Sequence, residues 1–459
     1  MTLQLLWTDQ CFLAVILISG VILVRGLRKE HVRRSFAQIF KQPIAVSAGV
    51  ILLLYLLIGV MDSIHFKAND DEQQASLLDY VLAPLGSQYE KTYSAPLATT
   101  LYSTETVFQN GKAEQIYPRL NYIAKDLKTD EDVSARIIKV IGLSALLGLA
   151  LTLVPFLGYR SYKNLKTKRS LDAAKGVIKG STKEKLLSAT QISFLLTLFI
   201  CLSAIIACYW LSRDLHLFGT GKIGQDVFYN TIKSIRTGLV IGVLTTLFMM
   251  PLALLLGIAA GYFGGFIDDL IQYVYTTLSS IPGVLLITAS VLSMQTYIAN
   301  HPEQFTTLAQ NDDARLLALC FILGVTSWTS LCRLLRAEAL KLREIDFVLA
   351  AQALGSSSFK IIRRHLLPNV MHIVVITLVL DFSFLVLAEA VLSYVGVGVS
   401  PLTISWGNMI NAARLELARE PIVWWPMLAA FIFMFILVLA SNLFADAVRD
   451  AFDPREASR

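Results

Sequence analysis

Nine apolar runs constrain this chain more than anything else in it, and most are too long to be buried in a soluble core. They lie at about 10–24, 43–61, 137–157, 190–211, 237–258, 271–294, 315–331, 371–391 and 424–445. A run near twenty residues crosses the roughly 30 Å hydrocarbon core of a bilayer. There, a single segment satisfies its own backbone only as a helix. The expected fold class is an all-α polytopic membrane protein with about nine transmembrane helices. Composition agrees: 16% of residues are charged, against about 25% in soluble chains.

Positive charge orients these helices, because basic loops stay on the cytoplasmic side. The first run is preceded by no Lys or Arg and followed by Arg25, Arg28, Arg33 and Arg34, which predicts an uncleaved helix with its N-terminus outside. The loops 25–42 and 159–189 are basic, the second through Arg160, Lys163, Lys166, Lys168, Arg169, Lys175, Lys179, Lys183 and Lys185. Alternation places the Arg- and Lys-rich loop 332–370 and the C-terminus on that same side. Segment 62–134 is net acidic, with Asp70, Asp71, Glu72, Asp130, Glu131 and Asp132, and falls outside. The net charge of +6 is thus explained by topology and lipid headgroups, not by nucleic acid.

The chain divides at about 189. Residues 1–189 form an extension with three transmembrane helices; residues 190–459 form a core of six with short connections. Catalytic signatures are missing: there is no GxxxxGK[ST], HExxH or GxSxG. The five cysteines contain no CxxC pair, and no cofactor or metal site is expected. A chain of this kind moves a solute without hydrolysing nucleotide itself.

The most informative stretch is the loop Arg343–Gly355 and its continuation to Asn369. Phe347, Ala350, Ala351 and Leu354 recur at helical spacing. The small alanines allow close approach to the backbone. Gly355 is a helix-stop residue able to take positive φ. One of Ser356, Ser357 and Ser358 is placed to cap the next helix, and Pro368 is expected to end it. An exposed short helix with an apolar, small-residue face suits another protein's groove.

This loop resembles the EAA loop of binding-protein-dependent ABC importer permeases, most closely in the dipeptide/oligopeptide group and its second-permease type. Further stretches resemble that family in order: His216-Leu-Phe-Gly-Thr220 with Gly224-Gln-Asp-Val227; Gly261-Tyr-Phe-Gly-Gly265 with Asp268; Ser280-Ile-Pro-Gly283; Trp328, Arg333 and Arg336; Glu389 to Gly398 with Ser405-Trp-Gly407; and Asn442 to Arg455. The resemblance covers about 190–455, with Gln225 and Ser234 departing from the usual Arg and Gly; residues 1–189 match nothing in it. It implies a six-helix permease core whose ABC transmembrane domain runs about 235–449, in the bacterial inner membrane. It also implies a homologous second permease, two cytoplasmic ABC ATPases, and a periplasmic or lipid-anchored substrate-binding protein as partners. Di- and oligopeptides are the implied cargo, with nickel, glutathione or another small solute as alternatives. A self-sufficient secondary transporter would need coupling residues or repeats, of which only Asp381 presents itself.

The resemblance assigns ATPase coupling to Glu344, Asp346, Phe347, Ala350, Ala351, Gly355, Arg364, His365 and Pro368. Arg363, Arg364 and His365 suit either ATPase acids or lipid headgroups. Asp381, mid-span, either lines the translocation path, where it meets a peptide's amino group, or is hydrogen-bonded between helices. Glu389 is expected near the outer face, either at a gate or simply solvated. Gly238 with Gly242, and Gly257 with Gly261, have small-residue spacing for helix packing. Segment 62–134 either folds as a small cap or remains a loose loop.

Overall fold

The computed structural model describes residues 2–3, 5–28, 30–67, 74–109, 112–127, 129–173, 188–301, 303 and 307–452. Asp70–Glu72, Lys175–Lys185, Asp453–Arg455 and Arg459, all named above from the sequence, lie outside the described residues. In chain order the helices are α1 Trp7–Gly26, α2 Glu30–Ile39, α3 Pro43–Ser63, α4 Leu77–Val81, α5 Ala83–Gly86, α6 Asp130–Ala173, α7 Ala189–Asp214, α8 Val227–Phe263, α9 Gly265–Ser280 and α10 Gly283–Asn300. They continue with α11 Leu308–Ser327, α12 Thr329–Arg343, α13 Asp346–Ala353, α14 Ser358–Ile361, a π-helical turn Ile362–Leu366, α15 Leu367–Val395, α16 Trp406–Glu416 and α17 Trp425–Phe452. Among the described residues, nine helical stretches are long and apolar enough to cross a membrane. The fold is the expected all-α polytopic one.

Three details depart from the sequence-based expectation. The expected span 271–294 is broken: α9 ends at Ser280, Ile281 is extended and Pro282 caps α10, so the apolar stretch is Gly283–Asn300. Pro282 lacks an N–H and cannot continue α9, but its fixed φ suits a helix entry. Second, Pro368 does not end a helix. It sits in the first turn of α15, where its missing N–H costs little, and the helical stretch Ser358–Val395 runs on through the π turn. Third, Ser357 occupies the cap position of α14 without a side-chain hydrogen bond.

Contacts group the chain into two compact units. The first comprises Met1–Phe36, Tyr55–Leu82 and Asn230–Arg459. Its core, Leu331, Cys332, Leu335, Ala339, Leu342, Val348, Ile361, Leu366 and Val370, joins α12, α13, α14 and α15 to α8. Hydrophobic transfer gives helices no reason to associate in lipid, so close packing must do it. The small-residue stripes provide that contact. A Cβ on Gly257 would lie 2.8 Å from Leu335 Cβ, one on Gly261 2.5 Å from Ala339 Cβ, and one on Gly238 3.0 Å from the Trp406 ring. A small antiparallel sheet of β1 Thr2–Leu3, β2 His65–Lys67 and β3 Gln74–Ser76 lies in this unit.

The second unit comprises Ala37–Leu54 and Ala83–Tyr229. α6 and α7 pair along their lengths, and Gly148 lets Ser203 approach closely. A hairpin of β4 Glu105–Gln109 and β5 Lys112–Ile116 lies beside an irregular stretch built around Leu101, Leu120, Ile123 and Leu127. Of segment 62–134, the described residues from Ala83 onward are therefore folded within this unit, not a loose loop, while those up to Leu82 belong to the first unit.

Candidate functional site

The connection between α12 and α15 presents one short helix on a buried anchor. Val348 is fully buried, while Phe347 is 43% and Leu354 86% exposed. Ala350 is exposed and Ala351 half-buried, so the small-residue face is available. Gly355 closes α13 in the left-handed region at φ +72°, its N–H donating to Gln352 O (2.9 Å) while the Ser356 N–H donates to Ala351 O (3.1 Å). That reversal is why glycine stands there. Glu344 and Asp346 are exposed at the start of the turn, Glu344 accepting from Arg343 Nε at 3.1 Å.

The π turn brings His365 back to this helix. Its ring lies 5.8 Å from that of Phe347, while Arg364 and Pro368 are exposed. A π turn adds one residue per turn and rotates the rest of the helix about its axis. Here it seats Ile361, Leu366 and Val370 in the core while Arg363 and Arg364 point outward. Val348, Ile361 and Leu366 were not singled out from the sequence, although their spacing on either side of Gly355 is an apolar anchor pattern. Arg336 of α12 grips Asp268 through Nε (2.5 Å) and Nη2 (2.7 Å), and this guanidinium holds the Asp268 carboxyl below its usual range. Arg333 reaches Ser279 Oγ at 2.5 Å and stacks over Tyr275.

Asp381 and Glu389 do not share a site. Asp381 borders a cavity of about 920 Å³ among α8, α10, α11, α12 and α15. Glu389, expected to be solvated or at a gate, is only 3% exposed. It accepts from Ser393 Oγ (2.7 Å) and Ser405 Oγ (3.1 Å), tying α15 to the N-cap of α16. Between α15 and α16 the chain turns at Gly396 (φ +88°), and Trp406 Nε1 donates to Thr231 O on α8.

In the second unit, His216 follows α7 and is held between two carboxylates: Nδ1 lies 2.7 Å from Asp226 Oδ2 and Nε2 3.7 Å from Glu90 Oε1. Burial alone would lower its pKa, but these acids raise it to about 9, so the imidazole is charged at neutral pH. Burial would raise the Glu90 pKa; His216 and the N–H groups of Asn121 and Tyr122 outweigh it, and the net shift is downward. Thr220 Oγ1 accepts from the Ser94 N–H and donates to Thr92 O, both at 2.7 Å. Gly219 and Gly224 take positive φ because the backbones of Ser94 and Glu90 lie where a side chain would be.

A second charged cluster was not anticipated. Near the start of α8, Arg236 donates through Nε (2.8 Å) and Nη2 (2.6 Å) to the fully buried Asp9 of α1. His65 Nδ1 lies 3.1 Å from the other Asp9 oxygen. One helical turn away, Lys233 holds Asp79 (2.7 Å) and approaches Asp62 (3.6 Å). Thr8 donates to both carboxylate oxygens of Asp313 on α11. The signal for it, acids at 9, 62 and 313 inside or beside apolar runs, was present in the sequence, but their partners were far away in the chain.

A family model described as "Binding-protein-dependent transport system inner membrane component" matches residues 253–458. The dipeptide transport system permease protein DppC of Lactococcus lactis subsp. cremoris (strain MG1363) is 32% identical over 243 residues, 53% of this chain and 65% of that protein. A putative peptide transport system permease protein of Brucella suis biovar 1 (strain 1330) is 33% identical, over 52% of this chain and 74% of its own length. The oligopeptide transport system permease protein OppC of Mycobacterium bovis (strain ATCC BAA-935 / AF2122/97) is 31% identical, over 53% of this chain and 77% of its own. Ordered motifs, nine apolar helices among the described residues and these matches lead to one conclusion: the chain belongs to the binding-protein-dependent transport system inner membrane component family, as a multi-pass permease of the inner membrane.

Proposed function

We propose that this chain is one of the two permease subunits of an ATP-driven importer of di- and oligopeptides. The peptide assignment draws on the names of its relatives. The coupling assignment draws on one observation: a short helix, α13, with an exposed apolar-small face on a fully buried Val348 anchor. Glu344, Asp346, Phe347, Ala350, Ala351 and Gly355 form the surface that enters a cleft of the ATPase, and Arg364, His365 and Pro368 extend it. The buried anchor makes α13 and the base of α15 move together, so ATPase closure tilts α15 and alternates access between the two sides. Asp381 faces the path, and Glu389 holds the gate segment between α15 and α16.

The remaining partners are a homologous second permease, a second ATPase and a solute-binding protein on the outside. The basic loops and the C-terminus face the cytoplasm, and the N-terminus faces outside. Residues 1–189 are an extension of the permease core 190–459, whose ABC transmembrane domain is about 235–449. ATPase subunits should co-purify with the wild-type chain and be lost with Gly355→Pro, or with Ala350→Glu and Ala351→Glu together, while the chain itself remains folded. Retention of the ATPases by both variants would contradict the coupling assignment.

A further inference from the structure

Asp381 is the central residue of α15, with 14 residues on either side between Leu367 and Val395. At 1.5 Å per residue each helix end is about 21 Å away, so its single-methylene side chain cannot reach a membrane surface. It is half-exposed, and it opens onto the cavity of about 920 Å³. That volume lies within the roughly 300–1,000 Å³ typical of ligand cavities.

The cavity wall is mostly apolar, with Ile287, Leu323, Phe384 and Leu385 prominent, and Asp381 is the one charged residue among its described lining. Thr326 also faces it, but its hydroxyl already donates to Ile322 O (2.9 Å) and Leu323 O (3.1 Å). The carboxylate and this hydroxyl oxygen are therefore both acceptors. An ionised carboxylate in an apolar surround is costly unless a cationic donor arrives. The buried acids of this unit each have a partner: Asp9 and Asp62 lie within ion-pair distance of Arg236 and Lys233, Asp313 accepts from Thr8, and Glu389 accepts from Ser393 and Ser405.

We propose that Asp381 receives an ammonium group of the cargo, so the path favours peptides that carry positive charge. This rests on the peptide-permease reading and adds a recognition site to it. Backbone and apolar side chains of the peptide meet the lipid-like walls, while the ammonium group supplies the missing charge. A second ammonium group, as in a lysyl peptide, strengthens the attraction.

The test uses the purified importer in proteoliposomes with its binding protein saturated. Uptake of lysyl-alanine and alanyl-alanine is compared for wild type, Asp381→Asn and Asp381→Glu. The expected result with Asp381→Asn is an about tenfold slower uptake and an about threefold fall in the lysyl-alanine to alanyl-alanine ratio, with Asp381→Glu keeping the ratio. A uniform loss at constant ratio, or no loss, overturns the proposal. A second measurement does not depend on peptide transport. In a chain without its native cysteines, Ser330→Cys is labelled with cationic and anionic methanethiosulfonate reagents. The cationic reagent should react about tenfold faster, and Asp381→Asn should abolish that preference. An equal preference with Asp381→Asn overturns the proposal. An Asp381-dependent preference in an importer that takes no peptide supports cation recognition and refutes the peptide reading instead.

Discussion

Two places in one unit handle charge in opposite ways. At the start of α8, Arg236 and Lys233 are matched by Asp9, Asp62 and Asp79, all within 3.6 Å. In the middle of α15, Asp381 faces an apolar cavity as its one charged residue among the described lining. A matched cluster with several bonds per charge is a fastener: it fixes where α1, α3 and α8 meet. The single charge of Asp381 borders an open volume instead, and in the proposal above it receives the ammonium group of the cargo. Substitutions at each place can break or sharpen that contrast.

The largest effect should come from breaking the fastener. Arg236→Met removes both hydrogen bonds that the guanidinium gives the buried Asp9 and leaves it only His65, and breaking a buried pair in this way costs about 3–5 kcal/mol. Thermal unfolding in detergent should show a large fall in Tm, and Asp9→Leu added to Arg236→Met should recover most of it. Equal Tm values for the single variant and wild type would show that the cluster holds nothing.

The next effect concerns His216. Its folded pKa of about 9 lies above the ordinary value of 6.5, so its contribution is full below about pH 6.5 and is lost as pH rises through 9. That difference corresponds to about 3 kcal/mol. Stability of the second unit, read by hydrogen exchange at Glu90–Tyr122, should fall between pH 6.5 and 9 in wild type and lose that dependence in His216→Gln. Glu90 has a lowered pKa, so it acts at the other end: its contribution is present above about pH 4.5 and lost on acidification.

A smaller effect is expected at the helix contact. Gly261→Ala sets a methyl 2.5 Å from Ala339 Cβ and 2.6 Å from Arg336 O. Overpacking of this kind costs about 1–3 kcal/mol, measurable as a lower Tm with the Asp268–Arg336 pair displaced. The smallest change in stability should come from Asp381→Asn, within about 0.5 kcal/mol of wild type or slightly favourable, because no ion pair is lost. A large destabilisation there would erase the contrast between the two sites and place Asp381 among the fasteners.

Much of this was readable in the chain. The nine apolar runs announce the helices because hydrocarbon leaves the backbone no other choice, and Gly355 announces the reversal after α13. Pro282 and Pro368 are harder to read. Proline both breaks a helix and starts one, and only the surrounding packing decides. Pro282 divides what hydropathy reads as one run, whereas Pro368 begins a helix that the π turn joins to α14. The clasp of Asp9 and Arg236 is out of reach because 227 residues separate the partners, and pairing at that range is a product of tertiary structure. Glu389 is hidden for a related reason. Its acceptor role depends on Ser405, brought 16 residues back by the turn at Gly396.

The most direct test is uptake by the reconstituted complex of this chain, its partner permease, the ATPases and the binding protein. ATP-dependent accumulation of a dipeptide is predicted. It should be abolished by Gly355→Pro with the ATPases no longer bound, and absent from vesicles holding this chain alone. Accumulation by this chain alone, without ATPase subunits, would contradict the account.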